Sequence, residues 1–187
     1  SGSDGAIRAC FEISIKAGDK ILLTKPTFAM YEVYAKIYGA DINFIEYEKS
    51  PNGPFLDLNK IIDVLNNSKP KLFCLPNPNS PTGTIFSESE LENILIVSEK
   101  NETLVLIDEA YYPIYPKTAA KFISKYKNLV IVRSFSKAWG AAGLRVGYAI
   151  SNKTLVEFMH KQKPMYEIGN VSAKTIEKLQ RPALILA

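Results

Sequence analysis

Residues 129–137 read LVIVRSFSK, and the reading of this stretch decides the fold. Four apolar residues run without a break, three of them β-branched. A surface helix would space its apolar positions by three and four, and a half-exposed strand would alternate. An unbroken run this short fits a strand buried on both faces, as in a parallel sheet covered by helices. The same kind of run recurs along the chain. KILLT (20–24), NFIEY (43–47), KLFCLP (71–76), TLVLID (103–108), LVIVRS (129–134) and RVGYAI (145–150) all read as strands.

Helical patterns fill the gaps. Residues 5–17 place Ile7, Cys10, Phe11 and Ile15 on one face. Residues 29–38, 57–67, 88–100, 118–126 and 152–162 also read as helices, and Ser87 with Glu90 forms a capping-box signature at the start of one. Strand–helix alternation predicts an α/β fold: a doubly wound, mostly parallel sheet in three α/β/α layers. Ligands of such sheets sit beyond the carboxyl ends of the strands.

Composition bounds the rest. With 187 residues, 47% apolar and 22% charged, the chain can bury one core. Its 23 basic and 19 acidic residues are interspersed, which argues against a nucleic-acid or membrane-surface partner. The longest apolar runs are strand-sized, too short for a bilayer span. Cys10 and Cys74 lie far apart in apolar runs and read as reduced core thiols of a cytoplasmic protein. His160 is the lone histidine, so no metal-ligand spacing exists and no metal is expected. The chain opens directly into a helical pattern without an initiator Met, and ends on an apolar tail after Pro182. It reads as a piece of a longer protein: residues 1–170 as an incomplete ligand-binding domain, and 171–187 as the start of a linker helix whose last residues are not native to the fold.

The segments after the strands carry the chemistry. Phe28 follows the first; Asn77, Asn79 and Ser80 follow the third. Asp108 and Tyr111 follow the fourth; Ser134, Ser136 and Lys137 follow the fifth. GSDGA (2–6) opens a helix beside them. Taken singly, each has a bland reading: an Asp that caps a turn, a Pro-rich loop, a solvated lysine, half-buried tyrosines. Their shared position after successive strands is the stronger signal. GSDGAIR lacks the Walker lysine and the G-x-G-x-x-G spacing of nucleotide-binding loops.

Taken together, GSDGAIR (2–8), KPTFAMY (25–31), NPNSPTGT (77–84), IDEAYYPI (107–114) and SFSKAWGAAGLRVGY (134–148) resemble the fold-type I pyridoxal-phosphate enzymes, the aspartate aminotransferase superfamily. Within it, the histidinol-phosphate aminotransferase group is the nearest in pattern. The resemblance implies pyridoxal 5'-phosphate as cofactor and an amino-group transfer between an amino acid, with glutamate as donor, and a keto or phosphorylated keto acid. It also implies a homodimer and small-molecule substrates.

Roles carry over residue by residue. Lys137 matches the lysine that holds the cofactor aldehyde as a Schiff base and then serves as general base, an enclosed amine flanked by a cation. Asp108 matches the carboxylate that pairs with the pyridine nitrogen. Tyr111 matches the phenol that hydrogen-bonds the 3' oxygen, and Phe28 the ring that stacks on the cofactor. Ser3, Asp4 and Gly5 at a helix start, with Ser134, Ser136 and Arg145, match the phosphate cup.

The family pattern N-P-x-N-P-T-G is broken here, because Ser80 stands where the second asparagine belongs. Either Asn79 or Ser80 meets the 3' oxygen, with Asn79 preferred. Decarboxylases of the phosphothreonine type share these motifs and give a second reading. A non-catalytic, truncated cofactor-binding domain gives a third, and this chain alone is expected to be inactive.

Overall fold

A computed structural model gives the structure of the protein and describes residues 2–180. The expectation for the apolar tail concerns residues outside that range. Six strands form a single sheet: β1 (Lys20–Lys25), β2 (Asp41–Glu46), β3 (Leu72–Pro76), β4 (Leu104–Asp108), β5 (Leu129–Ser134) and β6 (Gly147–Ser151). Their spatial order is β2-β1-β3-β4-β5-β6; the first five are parallel, and β6 runs antiparallel to β5. Every residue of β3, β4 and β5 is buried, as their unbroken apolar runs imply.

The sheet is covered on both faces, and side-chain parity assigns each residue to a layer. Leu72, Cys74, Leu104, Leu106, Val130 and Val132 pack with α1 (Gly2–Ser14), α2 (Met30–Ile37) and α5 (Lys153–Gln162). Phe73, Leu75, Val105, Ile107, Leu129 and Ile131 pack with α3 (Leu58–Ser68) and α4 (Glu88–Lys100). A sixth helix, α6 (Asn170–Gln180), follows. Ser87 and Glu90 do form the capping box of α4. Among the described residues no helix is long and apolar enough to cross a membrane.

Parity has its sharpest consequence at the end of β4. Asp108 continues the Leu104–Leu106 series and faces the α1/α2 layer. Glu109 falls on the other side, with Arg133, which continues Leu129–Ile131. There Glu109 Oε2 accepts from Arg133 Nε at 2.9 Å, and its carboxylate also accepts from Thr118 Oγ1 and from the Ala119 backbone N–H. The Arg133 guanidinium lies 3.6 Å from the Tyr112 ring centroid. A buried ion pair persists only when its other donors and acceptors are satisfied, and this one is.

The main departure from the sequence pattern adjoins that network. Residues 118–126 are expected to form a helix, but only a short 3-10 turn, Ala120–Phe122, is present. Its entry is fastened to the network, because Glu109 accepts from the Ala119 N–H and Thr118 Oγ1 from the Ala120 N–H.

Several boundaries also shift, two of them beside the carboxyl ends of the strands. The first helix begins at Gly2 rather than residue 5, because the Gly2 N–H donates to Arg145 O at 2.7 Å. The last strand begins at Gly147 rather than residue 145, which leaves Arg145 outside the sheet with φ of +52°. At Gly147 the first turn of α1 and the β5 backbone press together. A Cβ there would overlap backbone atoms of Gly2, Ser3 and Arg133. Gly147→Ala is therefore expected to cost about 1–3 kcal/mol or more through overpacking against atoms that cannot rotate away. Gly143→Ala, where a Cβ meets nothing within 4 Å, is expected to be near neutral, and urea unfolding of the two variants checks the contrast.

Candidate active site

At the carboxyl ends of β1, β3, β4 and β5 lies a cleft of about 200 Å³. Ser3, Asp4, Phe28, Ser80, Asp108, Tyr111, Ser134, Ser136, Lys137 and Arg145 line it, together with Pro76, Pro78 and Ala110. Residues up to 142 positions apart (145 − 3) therefore meet at one edge of the sheet, as the strand-end rule predicts. The antiparallel turn into β6 is what returns Arg145 to this edge. A parallel sixth strand would have carried its amino end to the opposite side.

Two expected residues lie elsewhere. Asn79 is buried, and its amide is consumed locally: Nδ2 donates to Pro26 O at 3.1 Å and to Thr82 Oγ1 at 2.8 Å. It braces the 77–84 turn, while Ser80 lines the cleft. Gly5 faces a separate groove of about 420 Å³ between α1, β6, α5 and residues 163–168. That groove is roomier, but it lacks Lys137, Asp108 and Arg145, so the smaller cleft holds the chemistry. Lys137 also departs from expectation, because its side chain is exposed rather than enclosed.

The cleft has one cationic, donor-rich end. Arg145 Nη2 is positioned 3.1 Å from where a Cβ of Gly2 would stand, so the guanidinium covers the start of α1. The first-turn N–H groups of a helix have no intrahelical acceptor, and the helix dipole adds positive potential there. Ser134 Oγ accepts from the Ser136 N–H at 3.0 Å, which leaves the hydroxyl hydrogen free to donate. The Asp4 carboxylate turns toward Tyr34, whose OH donates to its Oδ2 at 2.8 Å. Asp4 thus lines this end with its carboxylate held from behind by that phenol.

The other end is anionic and dry. Asp108 is 6% exposed, and its Oδ1 accepts from the Ala110 N–H at 2.9 Å. Its Oδ2 accepts from the Tyr31 OH at 2.7 Å. A carboxylate has about four lone-pair directions, so two remain for a ligand. Burial pushes the Asp108 carboxyl up to about 6, although the hydrogen bonds from Tyr31 and Ala110 and the positive charge of Lys137 all oppose the rise. Lys137 Nζ stands 5.7 Å from the Tyr111 ring centroid. Amine, phenol and carboxylate thus open onto one space.

Sequence reasoning did not single out Tyr31, although it lies in the KPTFAMY segment. Tyr31 follows Phe28 by three, and the turn between them is closed by the Tyr31 N–H on the Phe28 carbonyl at 3.2 Å. The rings meet edge to face at 5.6 Å.

Asp108 has a pH signature. Its carboxyl lies above the ordinary 3.8, so the folded protein binds a proton that the unfolded chain has already lost between about pH 4 and 6. Stability contributed by this group falls as pH rises through that window. Two units correspond to roughly 3 kcal/mol. In the ligand-free protein the stability of Asp108→Asn relative to the unsubstituted protein is expected to rise by up to roughly 3 kcal/mol from pH 4 to 7.5, read by urea unfolding at both values.

Comparison with known proteins agrees with this geometry. The family model for aminotransferase class I and II matches residues 1–179. The histidinol-phosphate aminotransferase of Caldanaerobacter subterraneus is 37% identical over 174 residues, which is 93% of this chain and 48% of that protein. The chain spans about half the length of the curated relatives it matches. Among solved structures, the histidinol-phosphate aminotransferase of Clostridium acetobutylicum superposes with a TM-score of 0.83 at 25% identity, covering 96% of this chain and 53% of that one. The L-threonine-O-3-phosphate decarboxylase of Porphyromonas gingivalis superposes with a TM-score of 0.80 at 25% identity, covering 97% and 55%. With this sheet, this cleft and a family match across nearly its whole length, the chain belongs to the aminotransferase class I and II family.

Proposed function

We propose that this chain is the cofactor-binding part of an aminotransferase that uses pyridoxal 5'-phosphate. The enzyme transfers an amino group from an amino acid, glutamate in this reading, to a keto or phosphorylated keto acid. One observation carries the proposal: the Lys137 amine, the Asp108 carboxylate and the Arg145 guanidinium open onto a single cleft. Residues 1–170 form the large domain in this reading, and 171–187 begin the linker to a smaller one.

The residues fit the cofactor's chemistry. A dianionic phosphate suits the α1 start, Arg145 and the Ser134 and Ser136 hydroxyls. A protonated ring nitrogen suits the unused lone pairs of buried Asp108. Phe28, half exposed on the cleft wall, offers a flat apolar face. Tyr111 and Ser80 supply hydroxyls for the ring oxygen. When bound, the cofactor supplies a conjugated ring able to accept the electron pair left at the substrate's Cα.

The chain's own residues do the rest. Lys137 Nζ would hold the cofactor at its aldehyde carbon and, as a free amine, would move the proton at the substrate's Cα. Asp108 stays ionised opposite the cationic nitrogen and keeps its proton there. Tyr111 holds the ring oxygen's hydrogen bond. Lys137 and Arg145 are exposed here, and a homodimer in which a second copy closes the cleft belongs to the same reading. Cytoplasmic placement is supported by two buried free thiols, Cys10 and Cys74.

A second reading, decarboxylation of a phosphorylated amino acid, is favoured by the likeness to the L-threonine-O-3-phosphate decarboxylase. Residues that hold the cofactor do not choose which substrate bond breaks. Amination of a keto acid with glutamate as donor supports the transferase, and release of carbon dioxide supports the decarboxylase.

Borohydride treatment of the intact protein loaded with pyridoxal phosphate is expected to fix the cofactor on Lys137. Peptide mapping that found it on another lysine would refute the assignment. Arg145→Ala is expected to weaken cofactor affinity by about 1–3 kcal/mol, the range for a charged hydrogen bond. Equilibrium titration reads that change, and an unaltered affinity would mean that the guanidinium serves elsewhere.

A further inference from the structure

We infer that Tyr31 is the positioning residue for Asp108, holding its carboxylate ionised and aimed at the ring nitrogen, and that the tight turn leading into α2 carries both this hydroxyl and the stacking ring of Phe28. The inference rests on the cofactor reading above and adds to it a residue that touches no substrate.

The geometry is specific. Tyr31 is fully buried, its OH donates to Asp108 Oδ2 at 2.7 Å, and its ring meets Phe28 edge to face. Phe28 itself lines the cleft. The turn into α2, closed by the Tyr31 N–H on the Phe28 carbonyl at 3.2 Å, therefore fixes the spacing between the aromatic face and the acid. Burial and the neighbouring Asp108 hold the Tyr31 phenol well above its ordinary value, so it stays protonated and serves only as donor. With Ala110 N–H on Oδ1 and Tyr31 OH on Oδ2, the carboxylate plane cannot swing. A donated hydrogen bond favours the charged form, which an apolar burial alone would discharge.

The other groups facing this pair are few. Lys137 approaches from beyond β5, Glu109 is the next residue of the chain, and Cys74 lies beneath on β3. Cys10 on α1 adjoins Tyr31. Asp4 and Arg145 line the far end of the cleft. The two thiols are held protonated by burial, and among the described residues Tyr31 is the side chain that donates to Asp108.

The test is Tyr31→Phe, which removes one oxygen and keeps the ring, with Tyr126→Phe as the control. The Tyr126 hydroxyl contacts Glu92 on the other layer. Carbon-13 NMR of the ligand-free intact protein, with Asp108→Asn to assign the carboxyl signal, is expected to show Asp108 titrating about 1–2 pH units higher in Tyr31→Phe. The control is expected to leave it in place. In the cofactor-loaded full-length enzyme, the acid limb of kcat/KM is expected to move upward in the same direction, with activity recovering at higher pH. Asp108→Asn is expected to lose activity at every pH.

An Asp108 titration that stays within about 0.3 unit in a folded Tyr31→Phe, checked by its urea midpoint, overturns the inference. So does a shifted titration with an unmoved acid limb, since Asp108 would then be tuned without being positioned for catalysis. If the unsubstituted protein takes up no cofactor at all, the reading in the preceding section fails instead.

Discussion

Two adjacent acids at the end of one strand must face opposite layers, and the rest of this molecule is arranged around that constraint. β4 ends in Asp108 and runs on into Glu109. The pleat sends the first toward α1 and α2 and the second toward α3 and α4. Each is a carboxylate removed from water, and each needs compensation. The solutions differ. Glu109 is neutralised by Arg133 and saturated with hydrogen bonds, so it is structurally closed. Among the described residues Asp108 receives two donors and no salt bridge, and it keeps acceptor directions open toward the cleft. One acid fastens the sheet to the 109–119 loop, and the other is left poised for a ligand.

The cleft divides its labour by charge. Helix start, guanidinium and hydroxyls gather at one end, and a dry carboxylate at the other, with the Lys137 amine between. The placement follows from topology more than from local sequence. β5 delivers Ser134, Ser136 and Lys137, and the reversal into β6 returns Arg145 to the same edge. Gly147 allows α1 to press its first turn onto that reversal. Its missing side chain is therefore as much a part of the anion-holding end as Arg145.

Much of this was legible in the chain itself, for identifiable reasons. The runs LVLID and LVIVRS read as strands covered on both sides, and the sheet and its layering followed from them. The strand-end rule then placed Asp108, Tyr111, Ser134, Ser136 and Lys137 at one edge. The site was less legible where side chains compete for partners. Asn79 stood beside the expected position, yet the carbonyl of Pro26 and the hydroxyl of Thr82 claim its amide. Tyr31 looked like one more core aromatic. The pattern over 118–126 is helical, but only the 3-10 turn Ala120–Phe122 forms there.

The linear sequence therefore determined the strand set, the three layers and the residue types at the strand ends, because apolar runs and side-chain alternation are local properties. Which acid is paired and which is left open, which amide is spent on a turn, and which phenol steadies Asp108 were decided only by the tertiary structure. Those outcomes depend on groups tens of residues apart, whose distances are fixed by the packing of α1, α2 and β6 around the sheet. No local pattern carries that information.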